Sequence, residues 1–207
     1  QMFTRAVDFG YSKTADETFR IWGRDEVLRD VVRAVRTFRP DVIFARFPET
    51  GDGGHGHHTA SAILAREAFR AAGDPTRFPE QIEEGLSPWR PRRLFWNGWR
   101  RDGKEIEGSM PFEIGDYSPA LGRSHTETAA ESRSQHKSQG FGSSERRGRL
   151  TNALVLLEGE PVKADPFEGI DTTWARVKGA EGVGRLLDEA ERAFDPRDPA
   201  AVLPKLL

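Results

Sequence analysis

The chain has 207 residues, 36% hydrophobic and 31% charged, enough for one substantial core and too short for two large domains. Its 31 Lys and Arg nearly balance 33 Asp and Glu, for a net charge of −2, and there is no cysteine. These values exclude a global attraction to nucleic acid or anionic membranes, and also disulfides, thiolate zinc sites and a cysteine nucleophile.

The opening Gln1-Met2-Phe3-Thr4-Arg5 lacks the basic and apolar regions of a signal peptide, and no apolar run approaches the roughly 20 residues that cross a bilayer. The chain reads as soluble, without a membrane span and with its compartment open. Because Gln1 leads at once into mid-domain sequence, a processed or truncated chain is expected, with sequence missing upstream.

From Arg24 to Phe38, Val27, Leu28, Val31, Val32, Val35 and Phe38 fall on one helical face, and Pro40 stops the pattern. Val42-Ile43-Phe44-Ala45 is then a continuous apolar run, which suits a strand buried on both faces of a parallel sheet. Pro48, Gly51, Gly53, Gly54 and Gly56 make the next stretch a loop, at the strand end where open α/β sheets bind ligands. A second helix is predicted from about His57 to Ala72, with Gly73 as its stop.

Prolines punctuate residues 74–116, and Arg93 to Trp96 and Met110 to Ile114 read as short strands. Ser124-His125-Thr126-Glu127 has the spacing of a capping box, opening a polar helix that is expected to run to Gln139 before Gly140. Ala153 to Leu157 reads as another buried strand, and Val183, Leu186, Leu187, Ala190 and Phe194 mark a last amphipathic helix stopped by Pro196.

Three of the five histidines, His55, His57 and His58, lie within four positions on the strand-to-helix loop. Neutral imidazole suits zinc, and His58, at the first turn of the helix, is best placed to present a ring nitrogen to a metal. His55, on glycine-flanked backbone, can face the same cavity and steady an oxyanion. Spacing alone leaves a second reading open, in which this is a solvated loop whose histidines only form hydrogen bonds.

Arg39-Pro40-Asp41-Val42-Ile43, followed by a loop and His55-Gly56-His57-His58-Thr59-Ala60, resembles the second motif of the LmbE/PIG-L deacetylases, which usually reads His-Pro-Asp-His. His136-Lys137-Ser138-Gln139 is similar to a His-x-Ser-Gln element late in that family's catalytic domain. With Gly115 to Pro119 and Gly159 to Trp174, the resemblance extends over nearly the whole chain and is closest to the larger bacterial members. It implies zinc-dependent hydrolysis of an N-acetyl group from an amino sugar or sugar conjugate. His55 then stabilises the tetrahedral intermediate, His58 is a zinc ligand, and His57 stands where the family has aspartate. His57, His136, Gln139 and Arg46 form the expected substrate-binding or site-bracing set.

The family's first motif, Ala-His-Pro-Asp-Asp-Glu, which supplies two zinc ligands and the catalytic base, has no counterpart: the chain contains neither His-Pro-Asp nor Asp-Asp. A catalytic zinc takes three protein ligands plus water, so the site is expected to be incomplete and the chain as it stands inactive. Zn2+ is the expected cofactor and a small amino sugar the expected partner, with oligomeric state undetermined. The other class of reading is a metal-free carbohydrate-binding or interaction domain that kept the scaffold.

Trp89 to Trp96 and Trp99-Arg100-Arg101 interleave bases with aromatics, as single-stranded nucleic-acid sites do. The near-neutral charge and the strand pattern favour a half-buried strand instead, and no nucleic-acid partner is expected. The overall expectation is a three-layer α/β/α fold with a Rossmann-like, mainly parallel sheet lacking its first strand or strands. Residues 1–207 form one domain in this reading, with 160–207 a C-terminal extension packed on it.

Overall fold

The computed structural model describes residues 1–99, 104–140 and 142–206. In chain order the helices are α1 (Ala15–Trp22), α2 (Arg24–Phe38), α3 (Gly56–Ala71), α4 (Pro79–Glu83), α5 (His125–Arg133), α6 (Glu181–Ala193) and α7 (Leu203–Leu206). The strands are β1 (Val42–Ala45), β2 (Arg93–Gly98), β3 (Met110–Glu113), β4 (Tyr117–Ser118), β5 (Arg123–Ser124) and β6 (Thr151–Gly159). The class is mixed α/β, as expected. The chain divides into two units, Gln1–Phe112 with Asn152–Glu168, and Glu113–Thr151 with Gly169–Leu207.

In the first unit α2 forms as its periodicity predicts. Val27, Leu28, Val32 and Val35 are buried, each contributing about 1.5–3 kcal/mol by leaving water. The helix stops at Arg39, which turns left-handed at φ 57° and donates its N–H to the Val35 carbonyl at 2.8 Å, with Pro40 barring continuation. This stripe meets Ala60, Leu64 and Ala68 of α3 and Phe19 of α1 in one cluster. Helix α1, unforeseen in the sequence, starts at Thr14, whose hydroxyl accepts the Glu17 N–H.

The sheet order is β1-β2-β6-β3. β1 and β2 run parallel, Val42 opposite Arg93 and Ala45 opposite Trp96, and β6 joins β2 antiparallel. Ile43, Ala45 and Leu94 meet Ala65 and Phe69 of α3, while Val42, Phe95, Met110, Phe112, Leu154 and Leu156 form the cluster of the other face. The expectation of a β1 buried on both faces is corrected: Ala45 is buried, Val42 and Ile43 are half-buried, and Phe44 is 41% exposed. β1 is the first strand of the order, and the Phe44 ring meets those of Phe95, Phe112 and Phe167.

The basic and aromatic stretch is a half-buried strand. Arg93 is 3% exposed, donating to the carbonyls of Glu160 at 3.1 Å and Pro166 at 3.0 Å. Arg100 and Arg101 lie outside the described residues. Among the described residues no helix is long and apolar enough to cross a membrane.

In the second unit the capping box is present in full: Ser124 and Glu127 cap each other's backbone N–H groups. The polar helix is shorter than expected, however. Ser134 turns its hydroxyl back to the Ala130 carbonyl at 2.7 Å, α5 ends at Arg133, and a 3-10 turn covers Lys137–Gln139; serine side chains competing for backbone acceptors weaken a helix in this way. Helix α6 is amphipathic as expected and buries Ala190, although Val183 and Leu186 are 47% and 56% exposed.

Glu127 also sets an acid limit. Hydrogen bonds from the Ser124 backbone and hydroxyl, then from Arg147, hold its carboxyl at about 2, below its ordinary value of 4.5. A depressed folded-state value stabilises fully above the ordinary value and is lost as pH falls from about 4.5 towards 2. Glu127→Gln should therefore lower Tm at neutral pH, with the difference from wild type closing at about pH 2; a gap independent of pH in thermal melts would refute the assignment.

Candidate functional site

Three histidines meet where β1 hands over to α3. His55 is the N-cap of α3, in extended backbone, and its Nδ1 faces the His57 backbone N–H at 3.4 Å. His57 and His58 follow in the first turn, so their side chains diverge by helical geometry. The His55 ring lies 4.3 Å from that of His57 and 5.3 Å from that of His58, centroid to centroid.

His58 is held on two sides. Its ring stacks on Phe47 with centroids 3.7 Å apart and planes 2° from parallel, and its Nδ1 lies 3.0 Å from the Gly53 carbonyl. A carbonyl only accepts, so Nδ1 carries the proton and Nε2 presents a lone pair. Gly53 leaves little room here, since an added Cβ would come within 3.2 Å of the His58 Cβ and 3.4 Å of the Phe47 ring.

His57 turns toward the N-terminal segment. Its ring stacks on Phe9 at 4.3 Å and meets Trp22 edge-on at 5.1 Å. Nδ1 lies 2.8 Å from the Ser12 hydroxyl and 2.7 Å from His55 Nδ1, while Nε2 is buried with no hydrogen-bond partner. Tyr11 packs edge-on against His55 and donates its hydroxyl to the Gly54 carbonyl at 3.3 Å. Burial, then neighbouring imidazoles, holds His55 and His57 below the usual histidine value, partly opposed by Asp8; both rings are neutral at pH 7.

Arg46 follows β1 and donates to the Asn97 carbonyl at 3.1 Å, bracing β1 against β2 beside Phe47. His136 belongs to the second unit, exposed, with Nδ1 3.2 Å from the Arg133 carbonyl. The expected pairing of His136 with Gln139 on one helical face does not form, since α5 has already ended; the Gln139 side chain lies outside the description. An open groove of about 610 Å³ in the second unit, lined by Ser124, Glu127 and Arg147 among others, contains no histidine.

Among the described residues no three His, Cys, Asp or Glu side chains come together as a metal cage. His58 fits one ligand position, its Nδ1 proton committed and its Nε2 lone pair free. The sequence reading missed Ser12, Thr18, Phe47 and Gly53. Ser12 stands 45 residues from His57, and no local pattern marks so distant a partner.

No family model matches the chain. A curated relative, the 1D-myo-inositol 2-acetamido-2-deoxy-alpha-D-glucopyranoside deacetylase 2 of Saccharopolyspora erythraea, is 32% identical over 108 residues, covering 49% of this chain. The match spans 38% of that relative's length.

Proposed function

We propose that this chain carries the histidine half of a zinc-dependent deacetylase site of the LmbE/PIG-L kind, acting on the N-acetyl group of an amino sugar or amino-sugar conjugate. The observation that carries the reading is the histidine cluster at the carboxyl end of β1, with His58 Nδ1 held by the Gly53 carbonyl 3.0 Å away. The S. erythraea relative, a 1D-myo-inositol 2-acetamido-2-deoxy-alpha-D-glucopyranoside deacetylase by name, supports the substrate class. The scaffold in this reading is three-layered and Rossmann-like.

In this reading His58 would offer its Nε2 to zinc, and an ion held there would supply Lewis acidity and an acidified water. His55 hydrogen-bonds the carbonyl oxygen as negative charge develops on it. Arg46 and His57 brace the loop.

The test is Zn2+ titration of the protein, followed through its ¹⁵N-labelled imidazole resonances. Zinc should perturb His58 Nε2 first, and His58→Ala should remove saturable uptake. The zinc-supplied protein should release acetate from 2-acetamido-2-deoxyglucopyranosides. Equal zinc uptake by wild type and His58→Ala would overturn the assignment. The lack of a three-ligand group among the described residues favours a second reading, a non-catalytic carbohydrate-binding or interaction domain, for which saturable sugar binding without any zinc stoichiometry is the expected result.

A further inference from the structure

Behind the histidine turn lies a chain of hydrogen bonds that ends in a group of fixed polarity. Ser12 and Thr18 are both 0% exposed. The Ser12 hydroxyl lies 2.8 Å from His57 Nδ1 and 2.8 Å from the Thr18 hydroxyl, which donates to the Thr14 carbonyl at 3.1 Å. A hydroxyl has one proton to give, and a carbonyl has none. Thr18 gives its proton to Thr14, so it accepts from Ser12, and Ser12 in turn accepts from His57. The His57 proton therefore sits on Nδ1.

Two further contacts agree. With Nδ1 protonated, His57 Nε2 is a bare acceptor, which suits an atom that is buried with no partner; a buried orphan N–H is the rarer and costlier case. His55 Nδ1 receives the His57 backbone N–H at 3.4 Å, which makes it a lone pair, and the one Nδ1 proton of His57 is shared between the Ser12 hydroxyl and His55 Nδ1, 2.7 Å away. Reversing the chain would set His55 Nδ1–H against the His57 backbone N–H and strand a proton on His57 Nε2.

We infer that Ser12 and Thr18 are positioning residues: through His57 they fix His55 as the tautomer with its proton on Nε2, a hydrogen-bond donor rather than a base. The hydroxyl pair sets the direction, and His57 transmits it across one turn. On the deacetylase reading, this hands the developing oxyanion a donor already in place, with no proton to rearrange at the moment of attack. The tautomer itself is independent of that reading.

Ring ¹⁵N NMR of the metal-free protein decides the matter. In wild type, His55 should show Nδ1 bare and Nε2 protonated, with His57 and His58 showing the opposite pattern. Thr18→Val keeps the side-chain shape but removes the acceptor for the Ser12 proton. That proton then turns to His57 Nδ1, and the His55 and His57 resonances should shift toward the reversed tautomers. Thr18→Ser should restore the wild-type pattern.

A wild-type His55 with Nδ1 protonated overturns the proposal, whether or not the valine variant folds, and so does a folded Thr18→Val with unchanged ring shifts. The stated tautomers without zinc uptake would leave the relay standing and remove only the proposed chemistry.

Discussion

Replacing Arg36 by methionine should lower the unfolding free energy by about 3–5 kcal/mol, as expected when a buried, fully hydrogen-bonded charged group is lost and its partners stay behind. Arg36 projects from α2 at 1% exposure. Its guanidinium meets the carbonyls of Ala71 (3.4 Å), Ala72 (3.2 Å), Asp74 (2.7 Å), Arg77 (2.8 Å) and Phe78 (3.1 Å) and the Gln81 side-chain oxygen (3.1 Å). The first two are carbonyls that the end of α3 leaves without a helical partner.

Burial lowers the Arg36 pKa, opposed by Glu80 and Asp74. Methionine fills the aliphatic path but takes the side-chain donor from the Arg77 carbonyl and the Gln81 oxygen, while the carbonyls of Ala71, Ala72, Asp74 and Phe78 keep a backbone N–H and lose only the guanidinium. Arg36→Lys should recover only part of the loss, because three donors at one point cannot span what the planar five-donor fork reaches. The urea midpoints of the three proteins provide the measurement, and a methionine variant within about 1 kcal/mol of wild type, inside the range of ordinary surface changes, would show that this network contributes little. Since the other end of α3 carries His57 and His58, hydrogen exchange at residues 56–60 should rise in the same variant.

How much of this was legible in the sequence follows from which interactions are local. α2 and β1 stand within the bounds that periodicity and Pro40 predicted, because each is set by burial of its own stripe and by a stop one or two residues away. The Ser124 capping box is equally local. Helix α1 was missed because its eight residues make barely two turns, too few for the period to be read, and its stability comes from packing on α3. The site divides in the same way. The cluster of His55, His57 and His58 is visible as spacing, whereas Ser12, Thr18 and the seat of His58 on Phe47 exist only once the chain has folded back on itself. The link between His136 and Gln139 failed for a local reason, a helix that the 132–138 serines end early.

Gly56→Pro should cost more than its position suggests. Gly56 is the first residue of α3, where proline is ordinarily favoured because the N–H there has no helical partner. Here, however, that N–H donates to the Ser12 carbonyl at 2.9 Å. An added Cβ would fall 2.2 Å from the Thr14 carbonyl oxygen and 2.5 Å from the Ser12 hydroxyl, far inside contact distance. Gly56 and His57 thus touch the same residue, Ser12.

Proline combines overpacking, about 1–3 kcal/mol, with a buried carbonyl left unpaired, about 1–3 kcal/mol. Gly56→Ala incurs only the first. Denaturant midpoints should therefore fall in the order wild type, alanine, proline, and amide exchange at residues 11–18 should accelerate in step as the segment lifts from the histidine turn. A proline variant as stable as wild type, with residues 11–18 still protected, would mean that Ser12 is not seated on this turn, and the hydrogen-bond chain that orients His55 would lose its anchor.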